Sequence, residues 1–173
     1  MYIEPKLFLR NWRNSSVFYV EISLIIVVIV FILYFLWRKK KWKSVRLKQL
    51  ENINNPYEFE VFVERILKDL GYRVIRTRKS RDFGADILLR KGRKKVVIQV
   101  KFWKNKLGEE VLKEVIASSY VYGAREGAVI TNSYFSKNVM DLAERLAGKG
   151  HLDKIVLIDR EKLREIVEGR RLL

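Results

Sequence analysis

Cysteine is absent from the 173 residues, histidine occurs once, proline twice and glycine nine times. Without cysteine there are no disulfides and no thiolate metal sites, which fits a reducing compartment. The lone histidine, His151, follows Lys149 and Gly150 and reads as a solvated loop residue. One histidine cannot build a histidine cluster, so a catalytic metal would have to sit on oxygen ligands. That points to Mg²⁺ or Mn²⁺ rather than Zn²⁺. Acidic residues are also scarce, 20 Asp+Glu against 36 Lys+Arg, for a net charge of +16. Such an excess favours a polyanionic partner: nucleic acid, anionic lipid, or both. There is no internal repeat and no low-complexity tract.

What the chain does contain, early on, is one long apolar run. Val17 to Trp37, VFYVEISLIIVVIVFILYFLW, carries Glu21 as its sole charge. As a helix rising ~1.5 Å per residue it spans a hydrocarbon core of about 30 Å. Tyr19, Tyr34, Trp37 and Trp42 are the aromatic types expected at membrane interfaces. The run is too long for a signal-peptide core of ~7–15 residues, and no small-residue cleavage site follows. Residues 1–16 hold Lys6, Arg10 and Arg13, whereas Arg38–Lys48 holds Arg38, Lys39, Lys40, Lys41, Lys43, Arg46 and Lys48. The heavier basic flank predicts a single-pass protein with its C-terminal side in the cytoplasm. Residues 1–16 then form a short extracytoplasmic N-terminus and 38–55 a basic juxtamembrane linker suited to anionic lipid. Residues 56–173 remain as a soluble domain with 26 basic and 17 acidic residues, itself basic.

In that domain, Asn55-Pro56 with Glu58 is a helix start, Asn as N-cap and proline at the first helical position. Phe59, Phe62, Val63, Ile66, Leu67 and Leu70 form the apolar stripe, and Gly71 is the expected stop. Glu60 flanks that stripe, while Glu64 suits a solvated face. A first strand follows over Arg73–Arg78. ADILLR and KVVIQVK, separated by KGRK, then read as a β-hairpin. Further on come a helix over Glu109–Tyr122, a buried strand GAVIT at Gly127–Thr131, a helix capped by Ser136 and running to Leu146, a strand at Lys154–Ile158 and a helix at Arg160–Glu168. The order is αβββαβαβα. An early hairpin and late strands alternating with helices predict an α/β domain, its mixed β-sheet flanked by helices.

The hairpin carries the chemistry. With Arg90 facing Lys95, Leu88 lies opposite Val97 and Asp86 opposite Gln99. Strand period two puts Asp86, Gln99 and Lys101 on one face, and Ile87, Leu89, Ile98 and Val100 on the other. A carboxylate, an amide oxygen and an ammonium then converge. Beside one Mg²⁺ that set suits phosphodiester cleavage: the metal neutralises a nonbridging oxygen and acidifies its water, and lysine stabilises developing charge. Lys79, Arg81, Lys104 and Lys106, with the KGRKK turn, are placed to hold a nucleic-acid backbone. Phe102 and Trp103 are expected to pack under the sheet rather than stack on a base.

These residues resemble a known family. FEVFVERILKDLGYRV, RDFGADILL, VVIQVKFWK, GAVITNSYFS and IVLID, in that order, are similar to the Mrr-type restriction endonuclease domain of the PD-(D/E)xK nuclease superfamily. The likeness runs from about Pro56 to Ile166. It implies a restriction-endonuclease-like fold and a Mg²⁺-dependent endonuclease acting on DNA. By position, Asp86 matches the metal-binding aspartate, Gln99 the second metal-binding position and Lys101 the catalytic lysine. Glu60 matches the glutamate that completes many such sites, and Asp82 an acidic residue of the preceding loop. Gln99 carries no charge where the wider superfamily has an acid, which implies weaker metal affinity. The usual N-terminal partner domain is expected to be replaced by the membrane helix. Cutting both strands would call for two sites, hence a homodimer. Two other readings stay open: a nuclease fold that no longer cuts and tethers DNA to the membrane, and a protein-interaction platform whose charge serves the anionic leaflet.

Overall fold

The computed structural model describes residues 5–76, 85–92 and 94–169. It divides into two compact units, Met1–Val45 and Arg46–Leu173. The stretch 77–84, which holds Lys79, Arg81 and Asp82, lies outside the described residues, as does Arg93 in the hairpin turn.

The first unit is helical, formed by helix α1 (Pro5–Asn52) as far as Val45. From Tyr19 onward α1 is long and apolar enough, by length and composition, to cross a membrane, and none of that apolar stretch is buried. Leu24, Val27, Phe31 and Leu33 are all exposed. Trp37 packs its ring under the Lys41 ammonium, 5.1 Å from the ring centroid, and lies 6.3 Å from Tyr34. The helix continues through the basic residues after Trp37, which are good helix formers.

The second unit starts at Arg46 rather than at Pro56, because the last turns of α1 supply core residues. Leu47, Leu50 and Ile53 pack against its apolar interior. Exposed pairs at Arg46–Asp69, 2.6 Å, and Arg164–Glu51, 2.8 Å, add to that attachment. Pairs of this kind contribute only about 0.2–1 kcal/mol each, so the partly buried apolar side chains matter more.

Helix α2 (Pro56–Asp69) begins as expected, with Asn55 Oδ1 accepting the Glu58 N–H at 2.9 Å. It ends where Gly71 takes φ +85°, a conformation costly for a side chain-bearing residue. Strands β1 (Arg73–Arg76), β2 (Ile87–Lys91) and β3 (Lys94–Lys101) form an antiparallel meander. The hairpin register is the one period two requires, with Leu88 paired to Val97 and Arg90 to Lys95. Helix α3 (Glu110–Tyr122) crosses to β4 (Glu126–Thr131), and α4 (Lys137–Leu146) to β5 (Lys154–Ile158), both strands adding in parallel. Helix α5 (Arg160–Val167) closes the domain. The fold is therefore a mixed five-stranded sheet in the order β1-β2-β3-β4-β5, flanked by helices.

The two crossovers step the same way across the sheet, so right-handedness sends α3 and α4 to one face. Val111, Leu112, Val115, Val139 and Ala143 pack there on Leu88, Val97 and Val129. The other face carries α2 and α5, with Phe59, Phe62, Leu67 and Leu163 over Ile87, Leu89, Ile98, Val100 and Ile130. Each such side chain, fully buried, contributes about 1.5–3 kcal/mol relative to exposure. Gly127 lets α3 approach closely, since a Cβ built there would collide with Val115 Cγ1. His151 departs from its expected place in solvent. Its ring is half-buried, stacks on Tyr120 at 4.0 Å and 21°, and sets Nε2 3.3 Å from the Ser119 carbonyl. A planar ring beside an otherwise exposed tyrosine removes apolar area from water, which a purely solvated position would not.

Candidate functional site

Asp86 lies in a bend one residue before β2, its N–H donating to the Ile98 carbonyl at 3.0 Å. That bond fixes the backbone at the start of the hairpin. Asp86 Oδ2 accepts twice: from Gln99 Nε2 at 2.8 Å and from the Val100 N–H at 2.7 Å. Charge-assisted bonds of this length are among the stronger ones in proteins. The Gln99 side chain is therefore clamped, only 6% exposed, with its amide N toward Asp86. Its Oε1 points away, buried and without a hydrogen-bond partner among the described residues. An unsatisfied buried carbonyl oxygen costs about 1–3 kcal/mol, so its retention at this point calls for a function.

Lys101 stands two residues further along β3 on the same face. Its Nζ lies 2.7 Å from Glu114 Oε2 on α3, with both side chains about one-third exposed. The contact is one of charge and not an aligned hydrogen bond, for Glu114 Oε2 is buried and has no hydrogen-bond donor. Glu114 was not legible as a site residue from the strands alone. Its signal is a charge on the inward side of α3, three residues after buried Val111 and four before buried Ser118.

Glu60 is half-buried on α2, the helix covering the opposite face of the sheet. The ring of its neighbour Phe59 sits 5.6 Å from that of Phe102, which directly follows Lys101. The Glu60 turn thus borders the end of β3 at which Lys101 lies. Lys104 and Lys106 are exposed on the loop after β3, and Lys79 and Arg81 lie outside the described residues. The aromatic pair separates. Phe102 packs into the core, whereas Trp103 is 58% exposed.

Among the described residues no three His, Cys, Asp or Glu side chains group to hold a metal. The donors at hand are hard oxygens, the Asp86 carboxylate and, once the Gln99 amide turns over, Gln99 Oε1. The orphaned Oε1 is what a bound Mg²⁺ or Mn²⁺ would satisfy, so the donor set fits such an ion. Away from this site, Arg125 and Asp153 form an exposed ion pair 2.6 Å apart. The hydrogen bond from Arg125 holds the Asp153 carboxyl below its usual range, and Asp153 likewise raises the guanidinium.

A family model described as a restriction endonuclease, the Mrr catalytic domain, matches residues 51–167. The type IV methyl-directed restriction enzyme EcoKMrr of Escherichia coli strain K12 is 32% identical over 124 residues. That alignment takes in 66% of this chain, which spans only 39% of the length of EcoKMrr. Among solved structures, the DNA modification-dependent restriction endonuclease AspBHI matches with a TM-score of 0.51 at 20% identity, over 76% of this chain and 35% of its own. The small subunit of the heterodimeric restriction endonuclease R.BspD6I gives 0.50 at 17% identity, over 74% and 76%. At such identities these two likenesses concern the fold.

Proposed function

The chain belongs to the Mrr-type restriction endonuclease family, and from that premise we propose that it is a metal-dependent endonuclease hydrolysing DNA phosphodiester bonds at Asp86, Gln99 and Lys101. The observation that carries the reading is the clamped Asp86–Gln99 pair with its orphaned Oε1, on the same face as Lys101.

Asp86 and Gln99 would hold Mg²⁺ or Mn²⁺, which supplies charge neutralisation at a nonbridging phosphate oxygen and an acidified water. Asp86 is oriented by the Val100 N–H and the Gln99 amide. Lys101 places a positive charge where negative charge develops as the phosphorus is attacked, and it steers the attacking water. Glu114 restrains the lysine from swinging along the strand, so the ammonium is oriented before substrate arrives. Glu60 would complete the site from α2. Lys104 and Lys106, with Lys79 and Arg81, would grip the DNA backbone without reading sequence. Two such sites in a homodimer would serve the two strands of a duplex.

We place this domain on the cytoplasmic face of a membrane, anchored by α1 at Val17–Trp37. The basic residues from Arg38 to Lys48 would sit at the anionic leaflet. The relative from E. coli is named for methyl-directed restriction, and restriction of modified DNA is the role we propose here.

The test is cleavage of plasmid and linear DNA by the full chain in detergent, with Mg²⁺, with Mn²⁺ and with EDTA. Lys101→Ala and Asp86→Ala should each lose about 100-fold or more in rate, the scale of removing one preorganised electrostatic group. Cleavage by both variants at the wild-type rate would refute the site. Salt-sensitive binding without cutting, the same in all three proteins, would instead mark a DNA tether.

A further inference from the structure

Trp103 is the one tryptophan of Arg46–Leu173, and it is left 58% exposed two residues after Lys101. It is not exposed for want of anchoring. Phe102 before it is seated against Phe59, and the Trp103 N–H donates to Asn132 Oδ1 at 2.7 Å. Two residues on, the Asn105 carbonyl accepts from Ser133 Oγ, also at 2.7 Å. The backbone is thus tied to the end of β4 on either side of the indole, which is held out into solvent. Phe102 packs toward the α2 side, and Trp103 follows it, just past the end of β3, out into solvent. Two residues of extended chain keep the Lys101 and Trp103 Cα atoms within about 7 Å. Lys104 and Lys106 follow Trp103 in the same loop, both exposed.

We infer that Trp103 is a stacking platform for a nucleobase next to the phosphate presented to Lys101, a base unpaired from its complement. This rests on the nuclease reading above. An exposed π-face in a loop that also carries two exposed lysines matches an aromatic ring joined to a phosphate, the chemistry of a nucleotide. A base inside an intact duplex is already stacked on both sides. The indole therefore gains most from a base at a strand end, at a gap, or drawn out of the helix. Tryptophan also suits membrane interfaces, but a ring this close to Lys101 lies where the substrate bases must pass.

The experiment uses the full chain in detergent with EDTA, so that binding is read without cleavage. The probes are single-stranded and fully paired oligonucleotides, some carrying 2-aminopurine as the reporter base. Trp103→Ala should weaken single-strand binding about 5- to 150-fold and duplex binding less. The slope of log affinity against log salt should stay as in wild type, because stacking releases no counterions. Lys104→Ala or Lys106→Ala should instead make that slope shallower by about 0.7 each. Wild type and Trp103→Phe should quench 2-aminopurine, and Trp103→Ala should not. Unchanged affinity and quenching in Trp103→Ala would overturn the inference, as would a loss seen only in binding to anionic vesicles. A wild type that binds and quenches but never cuts would refute the nuclease reading and leave the stacking site standing.

Discussion

Replacing Gly127 by alanine tests the most constrained contact of the domain. Gly127 lies in the buried strand β4, and its backbone suits any residue, so the conflict is one of space and not of conformation. The added methyl meets Val115 Cγ1, the side chain by which α3 seats on the sheet. Either the valine or the helix must retreat by about an ångström. Overpacking of this kind costs about 1–3 kcal/mol. For a unit of this size about 4 °C of melting temperature goes with each kcal/mol, so Gly127→Ala should melt about 4–12 °C lower. Val115→Ala alone removes two methyl groups and should cost about 2 kcal/mol. In the double variant the new methyl occupies the space the valine left, and the two losses should fall short of additive by about 1–2 kcal/mol. Pulse proteolysis of the full chain in urea reads the open fraction of the domain and gives all four corners of the cycle. Strict additivity, or a Gly127→Ala protein as stable as wild type, would refute the claim that this glycine sets the helix position. Because Glu114 precedes Val115, the same substitution should also slow cleavage by loosening the restraint on Lys101.

Two further outcomes follow from charge. Gln99→Glu would set a second carboxylate against Asp86, 2.8 Å from the present amide. Like charges repel, so thermal shifts should show the variant less stable than wild type in EDTA but gaining more from added Mg²⁺. Equal stability in EDTA and an equal Mg²⁺ response would count against Gln99 as a metal ligand. Asp153 has its carboxyl held below the ordinary value by Arg125, so its contribution is present above about pH 4 and is lost as pH falls through the lowered value. Denaturation of Asp153→Asn and wild type across pH should show a small difference that shrinks toward acid. A difference that grew there would contradict the sign.

Much of this was legible in the chain because period and cap chemistry leave few alternatives. Slipping the β2–β3 hairpin by one residue would turn Ile87, Leu89, Ile98 and Val100 out of the core, so one register survives. Asn55 and Ser136 marked helix starts because each supplies an oxygen to an orphan N–H, and both do so. What escaped depends on elements distant in sequence. Glu114 meets Lys101 because a crossover brings α3 back over the strand, and nothing local to either residue records that. Tyr120 and His151 find one another across a similar gap. Phe102 and Trp103 look alike as neighbours, yet just past the end of β3 one meets Phe59 and the other water. The basic run after Trp37 reads as a linker by charge, although lysine and arginine favour helix and Leu47 and Leu50 give its later turns a core to join.

The sheet has its strands in space in the same order as in the chain. A ribosome can therefore lay it down from one side to the other, each strand leaving the tunnel to meet an edge already made by its predecessor. No strand has to wait for a later one to be threaded between it and its neighbour. For a protein whose early segment is suited to enter a bilayer, the β2–β3 hairpin would then form ahead of the crossovers that cover it. A nascent chain stopped after β3 would expose the edge meant for β4, which makes the step from Lys101 to Thr131 the point at which interrupted synthesis most invites aggregation.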